Sequence, residues 1–211
     1  MEALKCSPLF FWKTFSSVLS AVENSAINNH IPPIISQLTH AAIIANMKKP
    51  FTDEDAAALV DCAAKLAKTV ATDEQGVEPV AICCIKHQPD VMAVPTASRR
   101  MDGVKAISAV TALHIAFTVL AHKADTIKLE NKVKNGSWTE EQMIMRQNAI
   151  PMFCPWDGGI VVMDKDGELL CALAAAGRGS VANRRLMVLA AHKMGYKTNF
   201  DKEGNPKPDG K

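Results

Sequence analysis

The chain has 211 residues, 48% hydrophobic and 22% charged, with 24 basic against 22 acidic residues for a net charge of +2. This is the composition of one soluble globular core with room for an appended segment. The charge balance gives no global attraction to nucleic acid or to an acidic membrane surface, and 5% aromatics with a single tyrosine is too sparse for a base-stacking platform.

Cysteines stand at 6, 62, 83, 84, 154 and 171, and none forms a CxxC pair. They match neither a zinc framework nor a secreted disulfide scaffold, so reduced, buried thiols are expected. The apolar run Leu9–Trp12 is interrupted by Lys13, unlike a signal peptide, and no run is long enough to span a bilayer. The expectation is a cytoplasmic protein with no nucleic-acid or membrane partner and no metal site.

In chain order, residues 8–23 suit a short amphipathic helix carrying Phe10, Phe11, Phe15, Val18 and Leu19. Pro32-Pro33 suits the first turn of a second, running to Lys48-Lys49 and stopped by Pro50. These make an N-terminal helical extension over 1–50. Thr52 caps the next helix, with Asp53, Glu54 and Asp55 in its first turn and Leu59, Val60, Ala63, Ala64, Ala67 and Val70 at helical spacing.

The stretch from Glu78 to Leu120 reads as strand, turn, strand, polar loop, helix. The first strand is Pro79–Ile85, the turn His87-Gln88-Pro89-Asp90, the second strand Val91–Val94, and the loop Ser98–Gly103. The helix from Val104 is apolar nearly all round, which implies burial on two sides. The charged segment Lys123–Lys134 reads as solvated or mobile. Thr139-Glu140-Glu141-Gln142 is a capping box opening a helix to about Asn148.

Trp156–Gly195 repeats the earlier order. Its strands are Ile160–Met163 and Glu168–Ala175, joined by an Asp164-Lys165-Asp166-Gly167 turn, and its helix is Val181–Met194, stopped by Gly195. Two such units suggest one sheet covered by helices. The tail from Lys197 shows no core residues and reads as flexible over 197–211, leaving a domain over 51–196.

Over about residues 53–195 of the 211 the pattern resembles the GlcG/HbpS-like family, which includes the C-terminal domain of PduO proteins and haem-binding or haem-degrading domains. The matching residues are the helix from Thr52, the strand Pro79–Ile85, Arg100-Met101-Asp102-Gly103 opening an Ala-rich helix, Gly158-Gly159 before a strand, the Asp166-Gly167 turn, and Leu170–Ala176 ending in glycine. The resemblance implies a profilin-like α/β fold, an antiparallel sheet flanked by helices. It also implies homo-oligomers and a pocket for haem or another small molecule. This sequence departs from the family at the first hairpin, His87–Asp90 in place of glycines. It departs again at the last helix, which opens Ser180-Val181-Ala182-Asn183-Arg184-Arg185 in place of acidic residues.

Several residues could carry chemistry. Arg100, with Met101 and Asp102, precedes a helix and could grip a ligand carboxylate, or Arg100 and Asp102 could pin the loop as a pair. Arg178 and Ser180, in the Gly177-Arg178-Gly179-Ser180 turn, could attract an anion, or the turn could be a plain strand-to-helix connection. Trp156, Asp157, Gly158 and Gly159 could wall a pocket with Asp157 as acid or base, or form a packed loop with Trp156 in the core. His87 and His114 could ligate haem or act as bases, or be a turn residue and a core residue. The expected function is a small-molecule-binding protein for haem or a similar flat, acidic, apolar ligand. The alternative is a cofactor-free enzyme of isomerase, lyase or cyclase type using Asp157, His87 and Asp102.

Overall fold

The computed structural model describes residues 50–70, 79–88, 94–149 and 152–208. The helices expected over 8–23 and 32–49 lie outside them, as do Val91-Met92-Ala93 and Pro89-Asp90. In chain order the described elements are α1 (Asp53–Ala67), β1 (Ala81–Lys86), β2 (Ala97–Arg100), α2 (Ala106–His122), α3 (Thr126–Lys134), α4 (Glu140–Ala149), β3 (Gly159–Met163), β4 (Leu169–Ala176) and α5 (Ser180–Lys193). The strands form one antiparallel sheet in the order β2-β1-β4-β3.

Both central strands are buried on both faces, which explains their unbroken apolar runs. Ile82, Cys84, Cys171, Leu173, Ala175, Ile160 and Val162 pack with α1 and α5. Ala81, Cys83, Ile85, Ala172, Ala174, Ala176 and Val161 pack with α2. The second face is floored largely by alanine, so α2 can lie close to the sheet. The profilin-like α/β arrangement expected from the sequence is the one observed: helices flank an antiparallel sheet. The two halves each supply a hairpin followed by a helix, β1-β2-α2 and β3-β4-α5.

The capping signals act as read. The Thr52 Oγ1 accepts from the Asp55 N–H at 3.2 Å, and the Asp55 carboxylate accepts from the Thr52 N–H at 2.9 Å. Thr139 and Gln142 make the same reciprocal pair. The Asp164 carboxylate gathers the N–H groups of Asp166 and Glu168 in the second hairpin, where Gly167 takes φ +92°.

Three expectations are corrected. The strand paired with β1 is Ala97–Arg100, later than expected; of the expected Val91–Val94 only Val94 is among the described residues, and it stands exposed outside any strand. Pro95 has no N–H to give a ladder; pairing resumes after it, with the Thr96 N–H donating to the Cys84 carbonyl at 3.0 Å. A Ser/Arg strand is tolerated there because β2 is an edge. Arg99 reaches over to pair with Asp61 on α1.

The charged segment after α2 is not a solvated coil but carries α3, with Asp125, Thr126, Leu129 and Glu130 buried. Asp125 accepts the Val161 N–H at 2.8 Å and the Asn199 amide at 2.7 Å, and Thr126 Oγ1 bonds both the N–H and the carbonyl of Gly159. These bonds cover the outer edge of β3, which sequence periodicity could not show.

The tail holds a core residue after all. Phe200 is 1% exposed within the α1/α5 core, and Lys197 pairs with Met163 as one further rung beside β3.

Candidate functional site

Arg100 ends β2 opposite Ala81, which starts β1; Ala176 ends β4 opposite the same Ala81; Gly159 starts β3. The loops at 101–103, 157–159 and 177–180 therefore gather at one end of the sheet. His87 follows the far end of β1, about 20 Å away at ~3.3 Å per residue. His114 sits midway along α2, half-buried. The three residues expected to be catalytic are thus separated: Asp157 is buried, Asp102 lies exposed in a turn, and His87 stands at the opposite end.

Within that cluster, several groups are committed to the fold. Asp157 pairs with Arg184 of α5, the two side chains 3% and 8% exposed. Arg184 Nε also donates to the Gly204 carbonyl at 3.1 Å. Burial pushes the Asp157 carboxyl up to about 6, opposed by the Arg184 charge and the Gly158 N–H. Arg178 is buried and donates to the carbonyls of Ala67 and Val70, so its guanidinium closes the C-terminal end of α1. Ser180 is exposed at the start of α5, and Trp156 is 53% exposed rather than in the core.

The double glycine also has a packing reason. A Cβ on Gly159 would stand 2.5 Å from Ile115 and 2.8 Å from Val119 of α2, and one on Gly158, at φ +134°, would stand 2.8 Å from the Ala175 carbonyl oxygen. Met101 packs half-buried against the α1/α5 core.

Arg100 differs from these. It is exposed and its guanidinium makes no ion pair among the described residues, whereas neighbouring Arg99 is held by Asp61. It stands on a groove between β2, β1 and the first turns of α2, a cavity of about 130 Å3 lined by Ile82, Cys83, Pro95, Ser98, Arg99, Arg100, Ala109 and Leu113. The walls are mostly apolar and the mouth carries guanidinium and hydroxyl donors, a combination that suits a carboxylate attached to an apolar body.

Burial pushes the Cys83 thiol up to about 12, with Cys84 adding to the rise, so it offers no thiolate at neutral pH. Neither His87 nor His114 lines the groove. The residues lining the groove fit the acidic edge and apolar rim of a ligand such as haem and include no imidazole. Among the described residues no group of three or more His, Cys, Asp or Glu could hold a metal ion, and no single helix is long and apolar enough to cross a membrane.

A larger, shallow cleft of about 530 Å3 lies between the end of α5 and the 201–207 loop. It is lined by Lys202 and Lys207 against Asp201 and Glu203, so it has no net preference for either charge. Sequence reading found Arg100 from its place before a helix. It missed Ser98 and Cys83 as groove residues, because strand register rather than spacing brings them together.

The helix-flanked antiparallel sheet, with Arg100 at the end of β2 just ahead of the turn into α2, defines a profilin-like α/β domain. Residues 51–192 match the family model described as "Haem degrading protein HbpS-like", and the chain belongs to that family. Solved structures share the fold at low identity. A PduOC:heme complex superposes with a TM-score of 0.59 at 19% identity, covering 71% of this chain and 99% of that one. A double mutant of HbpS from Streptomyces reticuli gives 0.54 at 20% identity, with 70% and 89% covered. The ORFY protein of Klebsiella pneumoniae gives 0.54 at 17% identity, with 71% and 96% covered. Comparison with curated proteins yields no match.

Proposed function

We propose that this protein binds a flat, acidic, largely apolar small molecule, with haem the first candidate, by seating its carboxylate edge in the β2–α2 groove. The observation that carries this reading is Arg100, exposed at an apolar groove and in no ion pair among the described residues. Membership of a family described as haem-degrading, and a fold shared with a PduOC:heme complex, support haem as the candidate. The volume of about 130 Å3 is below the ~300–1,000 Å3 of pockets that enclose a whole ligand. The groove therefore takes the edge of such a molecule, and the ring lies over the adjoining surface.

Arg100 would hold the carboxylate bidentately and Ser98 would add a hydroxyl, while Pro95, Ala109 and Leu113 would meet the ring edge. Because these donors face the acidic edge and not the metal, iron-free protoporphyrin should bind about as well as haemin.

The test is a titration with both porphyrins, followed by absorbance and by tryptophan quenching, on the full chain and on Arg100→Ala. Saturable binding of both, weakened roughly 10–100-fold by the substitution as expected for a charge-assisted bond, supports the groove. Affinity unchanged in Arg100→Ala, or binding of haemin alone, would move the site away from Arg100.

A further inference from the structure

We propose that the outer edge of β2 is a docking strand for an extended, acidic segment of another protein, which adds to the sheet as one further antiparallel strand. The inference goes beyond the small-molecule reading and rests on main-chain groups rather than on the groove. It starts from a difference between the two edges of one sheet. At the β3 edge three successive outward N–H groups are all taken. Gly159 donates to Thr126 Oγ1 at 2.9 Å, Val161 to the Asp125 carboxylate at 2.8 Å, and Met163 to the Lys197 carbonyl at 2.9 Å. That edge is closed to further pairing.

The β2 edge is open, and the register tells which of its groups point outward. The Met101 N–H donates to the Val80 carbonyl at 3.1 Å, and on the other side of β1 the His87 N–H donates to the Leu170 carbonyl at 2.8 Å. Even-numbered residues of β1 therefore bond β2, and odd-numbered ones bond β4. Ser98 and Arg100 lie opposite Cys83 and Ala81, so their N–H and C=O groups turn away from β1. No described residue bonds them. Two donors and two acceptors, spaced by about 7 Å at ~3.4 Å per residue, form the template that an added strand pairs with.

Charge selects the occupant. From Val94 to Lys105 there are three basic residues, Arg99, Arg100 and Lys105, and one acid, Asp102. Asp61 answers Arg99, whereas exposed Arg100 and Lys105 make no ion pair among the described residues. A second copy's β2, in the antiparallel register that uses all four outward groups, would set Arg99 opposite Arg99, and like charges so placed are destabilising. An acidic strand meets the opposite balance.

Side-chain alternation gives the pattern. Ser98 and Arg100 face α2, and Ala97 and Arg99 face α1, where Arg99 reaches Asp61. The added residue opposite Arg100 is therefore acidic. The one opposite Ser98, two positions on, shares that face with the groove walls Pro95 and Leu113 and is apolar. Between them a neutral residue meets the Arg99–Asp61 pair.

The experiment is fluorescence polarisation of the full chain with a dye-labelled, end-capped peptide, Thr-Thr-Glu-Thr-Val-Thr. One control peptide is N-methylated at its Glu and Val, whose N–H groups would meet the Arg100 and Ser98 carbonyls. A second carries Lys in place of Glu. The expected result is saturable binding of the first peptide below about 1 mM, weakened at least tenfold in each control. Ser98→Pro removes an outward N–H and no bond to β1, so it too should weaken binding at least tenfold, with circular dichroism as the fold control. Should that variant misfold, the N-methylated peptide makes the same test on the unaltered protein. Absence of saturable binding below about 1 mM overturns the proposal. So does a folded Ser98→Pro chain that binds as tightly as the wild type. Binding that survives N-methylation overturns it as well, and would assign the peptide's carboxylate to the groove without strand pairing.

Discussion

Asp157, just ahead of β3, and Arg184, one turn into α5, form a buried ion pair, and through Arg184 Nε the pair is tied to the Gly204 carbonyl of the tail. Three segments distant in sequence thus meet at one guanidinium, which also lies 5.7 Å from the centre of the Phe200 ring. Removing one partner leaves the other buried without its counter-charge. Arg184→Ala should destabilise the protein by about 3–5 kcal/mol in urea unfolding, the usual cost of stranding a buried charge. Limited proteolysis should then cut within 201–207 faster than in the wild type.

The same pair sets a pH dependence. Burial raises the folded Asp157 carboxyl to about 6 from an ordinary value of 3.8. A group raised in the folded state binds its proton more readily there than in the unfolded chain. Its contribution to stability is fully present below about 4 and is lost as pH rises through about 6. Asp157→Asn has no such titration. Wild type minus Asp157→Asn stability, measured by urea unfolding from pH 4 to 7.5, should therefore fall by about 1–3 kcal/mol as pH rises. A flat difference curve would show that Arg184 fully compensates the burial of the carboxylate.

The parts of this fold legible in the sequence were those encoded locally. The Thr52–Asp55 and Thr139–Gln142 boxes, the Asp164–Gly167 turn and the two-sided burial of β1 and β4 are each set within a few residues. What escaped depends on contacts between distant residues. The segment around Asp125 reads as a solvated charge run until its carboxylate is seen holding the Val161 N–H and the Asn199 amide. Phe200 is one aromatic among polar residues, and only the closed surface under α1 and α5 makes it core. The arginines at the opening of the last helix were visible as a departure from the family pattern. That Arg184 answers Asp157 could be learned only from the packing. For the site, the sequence offered Arg100 and, less strongly, Arg178, and tertiary structure separates the two.

The glycines make a sharper test of packing. Gly159 has no room for a methyl group, with Ile115 and Val119 in the way, so Gly159→Ala should cost about 1–3 kcal/mol as an overpacked contact. Gly179 has nothing within 4 Å of a built Cβ and a φ of −57°, which alanine adopts freely. Gly179 is the N-cap of α5, where alanine caps worse than glycine, so the gain through the unfolded chain is offset and Gly179→Ala should move stability by less than about 0.5 kcal/mol. A clear loss at Gly159 beside a near-neutral change at Gly179 would confirm that α2 lies directly on the start of β3; equal changes would contradict it.

Arg178 and Arg100 provide the complementary contrast, since both were read as anion-binding positions. Arg178 is buried, and its two terminal nitrogens serve the carbonyls of Ala67 and Val70 at the end of α1. Charge-assisted bonds of this kind are worth about 1.5–3 kcal/mol each, and their loss would leave buried carbonyls without donors. Arg178→Ala should lower stability by at least about 2 kcal/mol, and porphyrin affinity measured where the variant is still folded should be unchanged. Arg100→Ala should do the reverse: its side chain is exposed and makes no ion pair among the described residues, so stability should move by less than about 0.5 kcal/mol while affinity falls. A variant pair in which Arg178→Ala abolishes binding at full stability would assign the anion role to the turn before α5 and remove it from the β2–α2 groove.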